Sequence, residues 1–201
     1  NIYRTFADYC DSFKDKINLC GLSLGGILAI DYAIEHPEKI NSIVLIGTPY
    51  EIPKKMLKLQ NFIFKFIPKK TFDSMGISKN NFINLTNSMY NLDIKSKVSY
   101  IKCSTLVLCG EKDNVNIKSA HYLSENIRNA TMKIIENSAH IVNEENPNEL
   151  SKLLSNLQTA IKYASEIKVE IIIVNDSPNC KVNCHGFESL NIKIITNHKN
   201  M

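Results

Sequence analysis

A tight turn around one serine constrains this chain more than any other feature. The turn reads Gly21-Leu22-Ser23-Leu24-Gly25. A short apolar run at residues 17–20 before it predicts a strand, and the apolar residues 27–34 after it predict a helix. Between a strand and a helix, G-x-S-x-G is typical of a strained turn that presents the serine hydroxyl above a sheet edge. Because glycine has no Cβ, Gly21 and Gly25 allow the chain to close around Ser23.

Strands and helices alternate along most of the chain. Residues 40–46 form a nearly continuous apolar run, which is typical of a buried parallel strand. Further strands are predicted at 105–109 and 131–135. Helices are predicted over residues 2–14, from about 117 to 127, and from Asn146-Pro147 to about Ala164. This alternation predicts an α/β fold with a mostly parallel sheet and flanking helices.

Residues 50–98 interrupt the alternation with two apolar helical stretches. The first covers residues 56–67 with lysines between the apolar positions, and the second covers residues 82–90. A helical insertion between two strands is where a cap over a site would lie. Two other interpretations stay open, namely helices packed on the core and a membrane-surface helix at residues 54–70.

Three reactive side chains follow three different predicted strands. Ser23, Asp113 and His140 each lie just past a strand's carboxyl end, which is the edge where open α/β sheets build their sites. A serine becomes a good nucleophile when a histidine takes its proton, and a carboxylate fixes the imidazole tautomer. The order serine, acid, histidine therefore predicts a hydrolytic site.

Each of these residues also has a structural interpretation. Asp113 could be a turn or helix-cap residue, in which case Glu51, after the preceding strand, is the alternative acid. His140 could be a structural loop histidine. His36 at a helix end and His121 within a helix are predicted to be surface residues.

Four stretches in the right order resemble the α/β-hydrolase family: GLSLGG, HPEKINSIVLIGTP, TLVLCGEKDNVN and NSAHIVNEENPNEL. The resemblance covers about residues 2–157. It implies that Ser23 is the nucleophile, Asp113 the acid and His140 the base, that Leu24 gives an oxyanion-hole amide, and that 50–98 is the cap. The implied activity is cleavage of a small carboxylic ester or thioester through an acyl-enzyme on Ser23, with no cofactor.

The chain departs from the pattern of this family at its N-terminal side. Members of the family carry several strands before this point, and a loop after one of them gives the second oxyanion-hole amide. We therefore expect a fold that lacks its N-terminal strands, a sheet that lacks part of one side, and a chain that is a fragment. A non-catalytic fragment with half an oxyanion hole is the alternative function.

The tail predicts something different. Residues 167–174 and 190–196 read as strands, and with Asp176 between them they resemble the start of a family 2 GT-A glycosyltransferase. This resemblance implies that Asp176 contacts a nucleotide sugar, and it gives a second alternative, a fragment of a glycosyltransferase-containing fusion. The domains are then a partial hydrolase at 1–157 and, at 158–201, a linker with a partial second α/β unit. Cys180, Cys184 and His185 are interpreted as a loop rather than a metal site, and no metal is predicted.

Composition limits the remaining classes. The net charge of +4 comes from scattered lysines, so no nucleic-acid partner is expected. No apolar run is long enough to cross a bilayer. The six cysteines show no disulfide spacing, which favours a reducing, cytoplasmic setting. The expected partner is a small-molecule acyl substrate, and the cap aromatics Phe62, Phe66, Phe82 and Tyr90 favour a hydrophobic acyl or aromatic group.

Overall fold

The computed structural model describes residues 2–51, 57–58, 62–64, 66–74, 78–88, 93–164, 170–175 and 191–196. Its strands are β1 Ile17–Leu22, β2 Ile40–Ile46, β3 Ser104–Gly110, β4 Ala130–Ile135, β5 Glu170–Asn175 and β6 Asn191–Thr196. Its helices are α1 Ile2–Asp11, α2 Leu24–Glu35, α3 Lys69–Ser74, α4 Lys79–Ser88, α5 Ile117–Asn126, α6 Val142–Glu145 and α7 Pro147–Ala164.

All six strands form one sheet in the order β4-β3-β2-β1-β5-β6, and every neighbouring pair is parallel. The predicted α/β class with a parallel sheet and flanking helices is confirmed. Because the strands are parallel, their carboxyl ends all lie at the same edge of the sheet. The residues that follow β1, β2, β3 and β4 are thereby brought to that edge.

The apolar side chains of the central strands alternate between two buried clusters. Ile43 and Leu45 of β2 belong to the larger cluster, which includes residues of α1, α2 and α5. Val44 and Ile46 belong to the other, which includes residues of α6 and α7. Since successive side chains of a strand point to opposite faces, helices cover both faces of the sheet. This double coverage explains why β2 reads as a continuous apolar run.

Helix α2 packs against the strand that precedes it without any side chain between them at Gly21. A Cβ at Gly21 would overlap the backbone of Gly25 and Gly26, so only glycine allows this approach. Farther along α2, Ile27 and Ile30 are fully buried, and each stabilises the fold by roughly 1.5–3 kcal/mol. The start of α2 is therefore fixed relative to β1.

The described strands of the tail, β5 and β6, join the same sheet. Strand β5 pairs with β1, with Val174 level with Gly21, and β6 pairs with β5. The side of β1 that was expected to lack strands is occupied by these two, which satisfy backbone groups that an open edge would leave unpaired. Asp176, Cys180, Cys184 and His185 lie outside the described residues. The boundary between residues 157 and 158 stays a prediction, and α7 runs across it.

The described part of 50–98 is mostly helical and presents apolar side chains to solvent. Phe62, Ile63 and Phe66 are 57%, 49% and 73% exposed, and the rings of Phe62 and Phe66 pack edge to face. Phe82 and Tyr90 carry no described side chain. In the part of the chain that the structure describes, no helix combines the length and the apolar character needed to cross a membrane.

Candidate active site

Ser23 connects β1 to α2 in a strained backbone conformation. Its φ of 54° and ψ of −111° lie where residues other than glycine are rarely found. Its N–H donates to the carbonyl of Ile46 at 2.7 Å, and its carbonyl accepts from the N–H groups of Gly26 and Ile27. Such a conformation costs roughly 1–3 kcal/mol and persists only where the surroundings impose it. Here the strand on one side and the helix on the other impose it.

Asp113 is buried in a turn that follows β3. Its N–H donates to the carbonyl of Gly110 at 3.0 Å, and its own carbonyl accepts from the N–H groups of Asn116 and Ile117. The side chain is only 3% exposed. Asp113 therefore lies buried in the turn that leads into α5.

His140 lies in a loop after β4 that several hydrogen bonds hold in place. The Ser138 hydroxyl donates to the carbonyl of Ile135 at 2.8 Å, and the Asn146 amide donates to the carbonyl of Glu136 at 3.0 Å. The Glu145 carboxylate accepts from the N–H of Ala139. The ring of His140 is 37% exposed, so it is reachable from solvent while its loop is fixed.

The structure brings Asp113 and His140 into direct contact. His140 Nδ1 lies 2.8 Å from Asp113 Oδ2. An ionised carboxylate only accepts hydrogen bonds, so Nδ1 donates in this contact, and in the neutral ring Nε2 is then the nitrogen that keeps its lone pair. Burial raises the pKa of Asp113, but hydrogen bonds from His140 and Asn116 outweigh it and hold the pKa below its ordinary value. Asp113 is therefore ionised at neutral pH.

Gly47, directly after β2, lies close against Asp113 and His140. A Cβ at Gly47 would lie 3.0 Å from His140 Nδ1 and 3.3 Å from Asp113 Oδ2, and its φ is +51°. The N–H of Gly47 donates to the carbonyl of Leu108 at 2.9 Å. No signal in the sequence distinguishes Gly47 from an ordinary turn glycine.

Leu24, the predicted oxyanion-hole residue, is the first residue of α2. The first N–H groups of a helix have no partner within the helix and lie at the positive end of its dipole. The backbone N–H of Leu24 is therefore a donor directly beside Ser23. Ser23 and Leu24 lie at the same sheet edge as Asp113 and His140.

The alternative acid Glu51 and the two histidines predicted to be surface residues lie away from the Asp113–His140 contact. Glu51 is exposed, and its carboxylate is 3.9 Å from the Lys95 ammonium. His121 is exposed on α5, while His36 ends α2 with its ring stacked on Tyr32. Asp113, and not Glu51, is the carboxylate that contacts His140.

The strand cysteines Cys20 and Cys109 are unreactive, and the described residues hold no metal cluster. Cys20 and Cys109 are buried in β1 and β3, and burial raises their pKa to about 12 and about 11. Both thiols are protonated at neutral pH and are poor nucleophiles. Within the ranges that the structure describes, no three His, Cys, Asp or Glu side chains are grouped to hold a metal ion.

Known proteins match this chain over most of its length. A family model described as the alpha/beta hydrolase fold matches residues 13–73. The alpha/beta hydrolase domain-containing protein VTE7 of Arabidopsis thaliana is 27% identical over 75% of this chain and 56% of its own length. The monoacylglycerol lipase abhd6-A of Xenopus laevis is 25% identical over 77% of this chain and 58% of its own. The chain thus spans less than two thirds of the length of these relatives.

Solved structures match the fold. The crystal structure of the enol-lactonase from Burkholderia xenovorans superposes with a TM-score of 0.70 at 18% identity, over 78% of this chain and 71% of that one. Together these matches support the α/β-hydrolase family for this chain. They give no support to the resemblance of the tail to a glycosyltransferase.

Proposed function

We propose that this chain is a serine hydrolase of the α/β-hydrolase type, which cleaves a small carboxylic ester or thioester through an acyl-enzyme on Ser23. The observation that carries the proposal is the strained backbone of Ser23 between β1 and α2. A strained serine at the carboxyl edge of a parallel sheet fits a nucleophile held exposed for attack.

We assign the rest of the chemistry to His140, Asp113 and Leu24. In the proposed first half-reaction, Ser23 Oγ attacks the carbonyl carbon and passes its proton to His140 Nε2. The tetrahedral intermediate then collapses, and the alcohol or thiol leaves with that proton. Asp113 holds the imidazole tautomer through its 2.8 Å contact with Nδ1 and stabilises the imidazolium.

Water completes the cycle. His140 takes a proton from a water molecule, the resulting hydroxide attacks the acyl carbon, and Ser23 leaves with the proton. The N–H of Leu24 donates to the oxyanion in both halves, and losing one such donor costs roughly 2.7–4 kcal/mol in the barrier.

The substrate class rests on two observations. The matched lipase and enol-lactonase are named for ester-type substrates, since a lactone is a cyclic ester. The exposed rings of Phe62 and Phe66 favour an apolar acyl group, because they are apolar surface that a substrate chain would remove from water.

Labelling with a fluorophosphonate tests the proposal, because this reagent reacts with activated serines. We expect one label per chain, mapped by mass spectrometry to Ser23, together with turnover of p-nitrophenyl butyrate. Ser23→Ala should lose both the label and the turnover. The matched control is Ser12→Ala, which removes a surface hydroxyl that donates to the carbonyl of Tyr9 and should keep both.

Circular dichroism shows whether each variant is folded. A folded wild-type chain that neither labels nor turns over an ester would contradict the proposal and favour a non-catalytic chain. Label on a serine other than Ser23 would contradict the assignment of the nucleophile.

A further inference from the structure

Asn116 contacts both members of the acid–histidine pair. Its side-chain nitrogen lies 3.0 Å from Asp113 Oδ1, 2.9 Å from Asp113 Oδ2 and 3.1 Å from His140 Nδ1. Its backbone N–H also donates to Asp113 Oδ1 at 3.1 Å. Asn116 is only 7% exposed. These contacts are internal to the site, and Asn116 offers little surface to a substrate.

The orientation of the Asn116 amide follows from its partners. Because the ionised Asp113 carboxylate is only an acceptor, the NH₂ group must face it. His140 Nδ1 donates to the same oxygen, Asp113 Oδ2, so the amide and the imidazole share this acceptor. Asn116 and His140 thus lie close together because both donate to Asp113 Oδ2, and no hydrogen bond between the two is needed.

The side chain of Asn116 is unusual for its place in the helix. Asn116 is the N-cap of α5, where an asparagine oxygen ordinarily accepts from an N–H one turn ahead. Here the side chain makes no capping hydrogen bond. It turns back to Asp113, so its contacts serve the carboxylate instead of the helix end.

We propose that Asn116 is a positioning residue that clamps both oxygens of Asp113 and so fixes the plane in which the carboxylate meets His140. The consequence for turnover rests on the proposed function, whereas the consequence for Asp113 itself does not. The two hydrogen bonds from Asn116 also stabilise the buried negative charge of Asp113, since hydrogen bonds to an ionised group are about twice as strong as those between neutral groups.

Three substitutions separate this clamp from the helix cap. Asn116→Asp keeps the shape but replaces the donor by an acceptor, and Asn116→Ser keeps one donor. Asn, Asp and Ser cap helices about equally well. Differences in kcat or in the pKa of Asp113 between these variants are therefore due to the contacts with Asp113 and not to the helix cap. The matched control is Asn114→Asp, which adds the same charge at an exposed position in the same turn.

The first measurement is steady-state turnover of p-nitrophenyl butyrate by the full chain. Asn116→Asp should lower kcat by about 100-fold with KM within about twofold, because Asn116 acts through Asp113 and meets no substrate. Asn116→Ser should lower kcat by only about fivefold, since it keeps one donor to the carboxylate. Asn114→Asp should stay within about twofold of the wild type, because exposed charges are screened.

The second measurement needs no activity. The ¹³C resonance of the Asp113 carboxyl, assigned with Asp113→Asn, is followed against pH. The groups that face this carboxyl are His140 from the loop after β4 and the Cys109 thiol of β3, whose pKa of about 11 keeps it neutral in the acid range. Gly47 after β2 brings no charge. Removing the donors of Asn116 should therefore raise the midpoint of Asp113, most in Asn116→Asp and less in Asn116→Ser.

The outcomes are distinct. An Asp113 midpoint that moves in the Asn116 variants but not in Asn114→Asp supports the clamp, even if no chain turns over an ester, in which case only the proposed function fails. If Asn116→Asp does not fold, Asn116→Ala takes its place and should also raise the midpoint. An Asp113 midpoint that stays at the wild-type value in the folded variants overturns the proposal.

Discussion

The carboxyl edge of the sheet and the described part of residues 50–98, the proposed cap, differ in how tightly their side chains are held. At the edge, Asp113 is 3% exposed and contacts His140 and Asn116 at hydrogen-bond distance. In the cap, Phe66 is 73% exposed. At the edge, Asp113 is thus held by burial and hydrogen bonds, whereas the proposed cap presents apolar surface to solvent.

This difference teaches where a substitution should be felt. A change at the edge alters a packed arrangement with no room to relax, so its effect on rate or stability should be large. A change at an exposed cap residue removes little buried surface, so stability should hardly change. The four predictions below test this contrast, beginning with the largest effect.

Ser23→Ala should reduce ester turnover by at least about 1,000-fold, because the proposed nucleophile is lost while the sheet remains. Steady-state kinetics measures the loss. Ser23→Gly should be equally inactive yet more stable than Ser23→Ala by about 1 kcal/mol, since glycine adopts a φ of 54° without strain. Equal unfolding free energies of the two variants in urea would contradict the idea that this backbone is strained.

Gly21→Ala should destabilise the fold by about 3 kcal/mol or more, because its Cβ would overlap the backbone of Gly25 and Gly26. Backbone cannot move aside as a flexible side chain can. Urea unfolding monitored by circular dichroism measures the change. The control in the proposed cap is Asn84→Ala at an exposed position of α4, which should stay within about 0.5 kcal/mol of the wild type. Similar losses in both variants would remove the contrast between the two regions.

Asp113→Asn should remove part of the pH dependence of stability. The folded chain holds the pKa of Asp113 below its ordinary value, which is about 3.9 in an unfolded chain. The ionised group therefore contributes stability that is present above about pH 4 and is lost as the pH falls through the folded pKa. We expect the wild type to exceed Asp113→Asn by about 1 kcal/mol at pH 5.

Unfolding free energies of both chains between pH 5 and pH 2 measure this effect. The difference between them should shrink toward the acid end. A difference that stays constant over this range would mean that Asp113 gains no net stabilisation from His140 and Asn116.

The sequence predicted the elements of the central sheet well because their signals are local. The run at 40–46 coincides with β2 Ile40–Ile46, and the predicted helix end near Ala164 coincides with the end of α7. Ser23, Asp113 and His140 were found because each follows a strand, and parallel strands bring such positions to one edge. Their roles in catalysis stay predictions.

What the sequence could not predict depends on contacts between distant segments. The pairing of β5 with β1 joins residues about 150 positions apart along the chain, by the register of Gly21 with Val174, and no local pattern indicates it. No signal in the sequence marks Asn116, because its contact with His140 joins residues 24 positions apart. The place of Gly47 could not be predicted for the same reason, since the ring of His140 that it contacts comes from a distant loop.

Phe66→Ser should give the smallest effect on the fold and a selective effect on substrate use. With 73% of Phe66 exposed, the unfolding free energy should change by less than about 0.5 kcal/mol. If the cap contributes apolar surface to the substrate, kcat/KM for p-nitrophenyl octanoate should fall by about threefold to tenfold, because about 1 kcal/mol of apolar contact is lost. The acetate ester should be hydrolysed as before, because its acyl chain is too short to reach the ring. An equal loss for both esters would mean that the substitution disturbs the site at the sheet edge. No loss for either ester would mean that the substrate does not contact the exposed rings.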